Sequence, residues 1–318
     1  MKQIVVLDAG TLGEDIDLYL LDSLGSVTTY FSTSPEQTEE RIRDCHVAIL
    51  NKVKLTKENL PSANNLKLIC VTATGYDNID LEYCREHGIA VCNVKGYSTY
   101  SVAQVTVTTV LSLLHHLPQY HEYVTSGQYT KSGIQNCLTP VFHELYGKTW
   151  GILGYGNIGK QVARIAQSFG CRVLVHKQTP VDDAECVSLE TLCKASDILT
   201  LHTPLTPKTK EIIGERELNL MKPTVVLVNA ARGAVWEEKA VAQALKEGRI
   251  GGLGCDVYSV EPMQLHHPFQ EILHLPNLCL TPHMAWGAYE ARVRCMEEVK
   301  ENILAFFKGE VRNRVEGV

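Results

Sequence analysis

Three glycines set between a β-branched run and an amphipathic stretch constrain this chain more than any other feature of it. Gly154, Gly156 and Gly159 form GYGNIG, directly after the strand-like TWGIL and directly before a segment with Val162, Ile165, Ala166 and Phe169 on one helical face. Alone, such a pattern is common. With a second β-branched run, RVLVH, within about 30 residues, it acquires the strand–turn–helix–strand setting of a dinucleotide-binding fingerprint. The glycines permit a tight turn, close approach of backbone to a pyrophosphate and close packing of helix on strand. The helix N-terminus then offers free N–H groups to the phosphates. A turn that merely needs glycine is the plainer alternative.

The end of the second strand bears on which dinucleotide fits. An acidic residue there accepts the ribose 2′-hydroxyl and repels a 2′-phosphate. Here the strand ends His176-Lys177-Gln178, with no carboxylate before Asp182. Lys177 can offer charge to a 2′-phosphate, so NADP(H) is favoured over NAD(H), unless Lys177 is only a solvated surface lysine.

The rest of the pattern agrees with an α/β protein. Short apolar runs at QIVVLD, VTTYF, HVAILN, LKLICV and IAVCNV alternate with amphipathic stretches in the first hundred residues, which implies βαβ units and a parallel sheet. A helix-like segment, Ser98 to Leu117, follows Gly96 and suits a connector between lobes. From Lys148 the alternation resumes through TWGILG, CRVLVH, DILTLH, TVVLVNA, GLGCDV and NLCLTPH. The 318 residues exceed the roughly 250 to 300 at which single cores stop growing, so two domains are expected. A last helix, Ala288 to Lys308, carries one apolar stripe and ends at Gly309 in a C-cap position. The pattern alone leaves open which lobe buries that stripe.

Charge and cysteine usage exclude several classes. Thirty Lys and Arg against thirty-six Asp and Glu give a net charge of −6 without like-signed blocks, which offers no footprint for nucleic acid or an anionic membrane. Eleven cysteines lack CxxC pairing, so neither a disulfide framework nor a metal site is expected, and reduced buried thiols are. The longest apolar stretch, Val105 to Leu114, is too short for a bilayer span of about 20 residues. The opening MKQIVVLDAG has only a four-residue apolar run before Asp8, too short for a signal-peptide core. A cytoplasmic protein is the expectation.

Three charged residues follow strand ends, where open α/β sheets place function: Arg232 after VVLVNAA, Glu261 after GCDVYSV and His283 after NLCLTP. Singly, they read as a structural ion pair, a helix-start charge and a core histidine. Together they fit one reaction. Reduction of a keto acid needs a cation for its carboxylate, a proton donor for the developing alkoxide, and a group that keeps this donor protonated near neutral pH.

On these residues the chain resembles the D-isomer-specific 2-hydroxyacid dehydrogenases, closest to their glycerate dehydrogenase/hydroxypyruvate reductase branch. The resemblance covers nearly the whole chain. It rests on GKTWGILGYGNIGK (147–160), LHTPLTPKTKEIIG (201–214), MKPTVVLVNAARGAVWEE (221–238), CDVYSVEP (255–262) and TPHMAWGAYEAR (281–292). It implies that Arg232 binds the substrate carboxylate and carbonyl, that Glu261 hydrogen-bonds the catalytic histidine, and that His283 is the acid/base. It further implies that backbone N–H groups of Ala73, Thr74 and Gly75 hold the carboxylate, although a plain strand-to-helix turn would read the same. Asn157 and Ile158 would meet the pyrophosphate, Thr203 and Pro204 the adenosine side, and Ala230 and Asp256 the nicotinamide carboxamide. Thr74 and His176 would also lie at the cofactor, and Lys52 would reach the substrate unless it is a surface lysine.

The implied fold is two Rossmann-like domains with parallel sheets: a dinucleotide-binding domain, 99–286, inserted into a flavodoxin-like substrate domain, 1–98 plus 287–318. The implied activity is NAD(P)H-dependent reduction of a small 2-keto acid, hydroxypyruvate or glyoxylate in type, to a D-2-hydroxy acid, and the reverse. A homodimer is implied, with the segment from Val102 to Gly147 as its candidate interface. Lys177 departs from the aspartate most members carry. Two rivals are a nucleotide-sensing protein like the C-terminal-binding-protein corepressors and a phosphite or formate dehydrogenase on the same fold. Against the first, only Glu310 to Val318 follows Gly309; against formate, those enzymes have glutamine where Glu261 stands.

Overall fold

The computed structural model describes residues 1–179 and 181–317. It forms two compact units, Met1–Ser98 with Gly287–Val318, and Thr99–Trp286.

In the first unit, strands β1 (Gln3–Val6), β2 (Ser26–Thr29), β3 (Val47–Leu50), β4 (Leu68–Val71) and β5 (Ala90–Cys92) form a parallel sheet in the order β2-β1-β3-β4-β5. The central runs VAIL and LICV are apolar and buried at every position, as strands covered on both faces must be. The terminal helix Tyr289–Phe307 belongs to this unit, which settles where its stripe is buried: Ala291, Cys295, Met296, Val299 and Ile303 are all shielded. Arg292 on that helix donates to the Leu12 carbonyl at 2.6 Å and pairs with Asp15 at 2.5 Å. Gly309, at φ +78°, ends the helix.

In the second unit, β6 (Thr149–Leu153), β7 (Arg172–His176), β8 (Ile198–Leu201), β9 (Val226–Asn229), β10 (Gly252–Cys255) and β11 (Leu278–Leu280) form a parallel sheet ordered β11-β10-β9-β8-β6-β7. Chain order reverses between β6 and β8. At such a switch point the loops diverge and open a crevice beyond the strands' C-terminal ends. The helix expected from Ser98 to Leu117 is present, one residue shorter at its start and two at its end. It runs Thr99–His115, His116 turns left-handed at φ +51°, and a new helix, Leu117–Thr125, begins. Pro118 explains the break: its ring collides with a preceding helical turn, while the first turn of a new helix tolerates it.

Among the described residues no helix is long and apolar enough to cross a membrane, and no cluster of His, Cys, Asp or Glu is arranged to hold a metal. All eleven cysteines are free thiols. Burial pushes Cys45, Cys193 and Cys295 up to about 12, which keeps them protonated and unreactive near neutral pH.

Candidate active site

Three neighbouring strands of the second unit end together. Asn229, Cys255 and Leu280 share one register, so Ala230, Asp256 and Thr281 leave the sheet side by side. Two backbone bonds extend the ladder past the strands, Asp256 N–H to the Asn229 carbonyl at 3.0 Å and Thr281 N–H to the Cys255 carbonyl at 2.9 Å. Asp256 is 4% exposed. Its carboxylate accepts the Thr281 hydroxyl at 2.6 Å, Met284 N–H at 2.9 Å and Ala285 N–H at 3.0 Å. These donors bracket His283, which stands at φ +52°, a backbone region that non-glycine residues occupy at a cost. The aspartate therefore holds the turn that carries the imidazole.

The imidazole is in turn held by Glu261, whose Oε2 lies 2.7 Å from His283 Nδ1. A carboxylate carries no proton to give, so Nδ1 donates. Nε2 is then the ring atom that exchanges a proton with anything bound, and no described protein group bonds it. Glu261 Oε1 accepts the Tyr258 N–H at 3.1 Å, and the Tyr258 hydroxyl donates to the Thr281 carbonyl at 3.0 Å. Loop 258–261 and the histidine turn are thus fastened to each other.

Arg232 follows β9. Its Nη1 donates to the Ala231 carbonyl at 2.8 Å, and Asn229 Nδ2 donates to the Arg232 carbonyl at 2.9 Å. Among the described residues no carboxylate pairs with the guanidinium. A half-buried cation left without a counter-ion is placed to take an anion from solution. Gly233 lets this turn lie directly on loop 258–259: an added Cβ would come within 2.0 Å of the Tyr258 carbonyl carbon.

The glycine turn sits at the switch point. Gly154, at φ +96°, follows β6 and abuts the residues after β8, where an added Cβ would lie 2.5 Å from Thr203 N. An added Cβ on Gly159 would lie 2.2 Å from the Gly154 carbonyl oxygen, so only glycine lets the helix Asn157–Ser168 pack this closely. Gly156 differs, since a Cβ there would meet nothing within 4 Å. Open space thus lies in front of a helix whose N-cap supplies no side chain, and the N–H groups of Asn157 and Ile158 have no protein acceptor among the described residues. These residues fit a pyrophosphate. At the end of β7, His176 Nδ1 donates to the Val187 carbonyl at 2.9 Å, and Lys177 is exposed. Asp183 pairs with Lys160 at 2.7 Å. The Lys160 contact holds the Asp183 carboxyl below its usual range, with Lys177 adding to the effect. Thr203 is buried, Pro204 exposed and Ala230 half-buried.

The remaining candidates lie in the first unit. After β4, the carbonyls of Ala73 and Thr74 are tied back, to Val94 N–H at 3.0 Å and Asn93 Nδ2 at 2.7 Å, and Thr74 Oγ1 donates to the Val94 carbonyl at 2.9 Å. The N–H groups of Ala73, Thr74 and Gly75 meet no protein acceptor among the described residues. Lys52 follows β3, in a loop whose N–H groups at Asn51, Lys52 and Val53 all donate to Asp8, with a shortest distance of 2.6 Å.

Sequence reasoning passed over Asp8, Tyr258, Thr281, Glu238 and His267, and the last four fall in no pattern that announces chemistry. For Asp8 a signal was present: an acid directly after a buried strand, where a carboxylate persists only if donors surround it.

A glycine turn at a switch point, with a hydrogen-bonded glutamate–histidine pair and an arginine lacking a carboxylate partner among the described residues at strand ends of the same sheet, points to the class of nicotinamide-dependent oxidoreductases. Residues 107–285 match the model of the D-isomer specific 2-hydroxyacid dehydrogenase NAD binding domain. The chain is 36% identical to a glycerate dehydrogenase of Methylorubrum extorquens over 316 residues, 99% of both chains. It is 39% identical to a glyoxylate reductase of Thermococcus litoralis over 280 residues, 86% of this chain and 83% of that one. Its fold superposes on the D-lactate dehydrogenase of Aquifex aeolicus, solved with NAD and lactic acid, at a TM-score of 0.86, with 30% identity and full coverage of both chains. The chain belongs to the D-isomer specific 2-hydroxyacid dehydrogenases. It interconverts 2-keto acids and D-2-hydroxy acids with a nicotinamide dinucleotide.

Proposed function

We propose that this enzyme reduces hydroxypyruvate or glyoxylate with NADPH, with His283 as the proton donor. The observation that carries the reading is the 2.7 Å Glu261–His283 bond, which leaves Nε2 as the exchangeable position, on a sheet edge where the Arg232 turn, its guanidinium without a carboxylate partner among the described residues, also follows its strand. The bound cofactor supplies a hydride to the keto carbon. His283 Nε2 gives its proton to the carbonyl oxygen as negative charge develops there, and Glu261 stabilises the imidazolium until that moment. Arg232 draws in the carboxylate and polarises the carbonyl. In the first unit, considered by itself, the N–H groups of Ala73, Thr74 and Gly75 are suited to a substrate carboxylate, and Lys52 to the hydroxyl end of a short keto acid. Residues 1–98 with 287–318 are accordingly the substrate domain and 99–286 the dinucleotide domain.

Asn157 and Ile158 would hold the pyrophosphate, Thr203, Pro204 and His176 the adenosine half, and Ala230 and Asp256 the nicotinamide end. The NADP(H) preference is supported by Lys177, exposed just past β7, where no carboxylate precedes Asp182 in sequence and Asp183 is already paired with Lys160. A homodimer in the cytoplasm is the assembly we favour. Its support is the run of exposed apolar side chains at Leu117, Val124, Ile134, Leu138, Val141 and Tyr146.

Initial rates with NADPH and NADH against a panel of 2-keto acids test the reading. NADPH with hydroxypyruvate or glyoxylate should give the highest kcat/KM. His283→Ala should lower kcat by about 10²- to 10⁴-fold, the usual contribution of a positioned acid, while NADPH binding stays within a few-fold. Near-normal turnover in that variant would remove His283 from the chemistry.

A further inference from the structure

Behind loop 258–261 lies a second pairing of glutamate and histidine that touches neither Arg232 nor His283 directly. Glu238 opens the helix Glu238–Lys246, its side chain only 11% exposed. Its Oε1 accepts Ser259 N–H at 2.8 Å, and its Oε2 accepts the Ser259 hydroxyl at 2.5 Å. His267 Nε2 stands 3.1 Å from the same Oε2, with the His267 side chain 5% exposed. The tautomer follows from the other ring nitrogen: Nδ1 accepts Phe269 N–H at 3.1 Å, so the proton is on Nε2, which lies close to the carboxylate without forming a hydrogen bond to it. The ring is wedged edge-on against Phe269, 4.7 Å between centroids, and against Tyr258, 5.8 Å.

We propose that Glu238, through its two bonds to Ser259, is a positioning residue that fixes the loop bearing Glu261 and so sets the Glu261–His283 contact. The chain of bonds is short. Glu238 grips both the N–H and the hydroxyl of Ser259; the preceding Tyr258 N–H is bonded to Glu261 Oε1; and Glu261 Oε2 holds His283. The same helix start follows the Arg232 turn, which Gly233 seats on the peptide between Tyr258 and Ser259. A bond of 2.7 Å between two side chains that are each about a quarter to a third exposed requires its loop to be held from behind, because solvent competes for both partners. Other titratable or charged groups facing this loop include Asp256, Tyr258, Cys255 and Cys279, with the Arg232 turn seated against it. Burial raises the Tyr258 hydroxyl and the Cys255 thiol, so both stay neutral through the working range.

The inference rests on the roles proposed for His283 and Glu261, and the test separates the two. The pH dependence of kcat for keto-acid reduction is measured in the full-length enzyme, wild type and the variants Glu261→Gln, Glu238→Ala, Glu238→Gln and Ser259→Ala. Glu261→Gln should move the midpoint to lower pH, since a neutral amide no longer favours the charged imidazole. Glu238→Ala should move it in the same direction and lower kcat about tenfold, with KM changed less than about twofold, the pattern of a contact that matters only in the chemical step. Glu238→Gln keeps an acceptor for Ser259 N–H and should restore most of the loss. Ser259→Ala keeps one of the two bonds, gives a smaller shift in the same direction, and decides the question should Glu238→Ala not fold. An unmoved midpoint in Glu238→Ala or Ser259→Ala beside a moved one in Glu261→Gln overturns the positioning role alone. An unmoved midpoint in Glu261→Gln overturns both.

Discussion

Each of the two parallel sheets carries a buried aspartate just past a strand end, and the two do different work. Asp8 follows β1, 5% exposed, at the point where strand order reverses in the first sheet, and it receives N–H groups of Asn51, Lys52 and Val53. Asp256 follows β10, 4% exposed, and it receives a hydroxyl and two N–H groups from the turn around His283. The device is the same: a desolvated carboxylate persists because backbone donors from the neighbouring loop surround it. The loops differ. That of Asp8 contains no residue on the left-handed side of backbone space, whereas Asp256 restrains a histidine at φ +52°. An anchor that opposes backbone strain sets the aim of a side chain; an anchor without strain to oppose contributes chiefly to folding.

The contrast predicts unequal damage. Asp256→Ala should release the histidine turn and reduce kcat about a hundredfold, roughly 2.7 kcal/mol, because a misaimed proton donor loses most of its advantage. Stopped-flow reduction of a keto acid measures it, with protein stability checked by urea unfolding. Asp8→Ala leaves three buried N–H groups without an acceptor and should destabilise the first unit by about 2 kcal/mol, partly relieved by water. Its kcat, measured below the unfolding transition, should remain within about threefold of wild type, since the loop it holds carries Lys52, proposed for the far end of the substrate, and no group proposed for the reacting bond. Equal losses of kcat in the two variants would break the distinction.

How much of this could be read before the structure follows the same line. The strands, the glycine turn and the triplet of Arg232, Glu261 and His283 stand in local patterns, since parallel strands announce themselves as apolar runs and functional side chains follow them. The terminal helix showed its stripe, but which unit buries it depends on contacts such as Arg292 with Asp15, 277 residues apart in sequence. The end of the connector helix was legible to within two residues, whereas the second helix that starts at Leu117 was not. Asp8, Glu238 and His267 escaped for a deeper reason. Their meaning lies in which N–H or hydroxyl they meet, and those partners come from other loops. Lys177 was legible as a departure, whereas its neighbourhood with Asp183 and Lys160 required the fold.

The comparison extends to acid. His202 follows β8 in the second unit, both of its ring nitrogens shielded from solvent and without a partner among the described residues, and burial depresses its pKa to about 3. The unfolded chain protonates the same ring near pH 6.5. Between these values the unfolded state binds a proton that the folded state refuses, so this contribution is complete above about pH 6.5 and declines as pH falls, by about 1.4 kcal/mol per pH unit. In the first unit the shifted acids are carboxylates held low. Burial pushes Glu316 up, but the Arg314 side chain and Val91 N–H outweigh it; the Arg292 contact lowers Asp15. Their contribution is lost only below the ordinary carboxylate range. Acidification of the cofactor-free protein from about pH 6.5 to about pH 5 should therefore loosen the second unit by about 2 kcal/mol while the first holds, as read by hydrogen exchange resolved to each unit. His202→Asn should abolish the difference, because its amide does not titrate. Parallel loosening of both units, or a second unit just as acid-sensitive in that variant, would show that the buried imidazole is not what separates them.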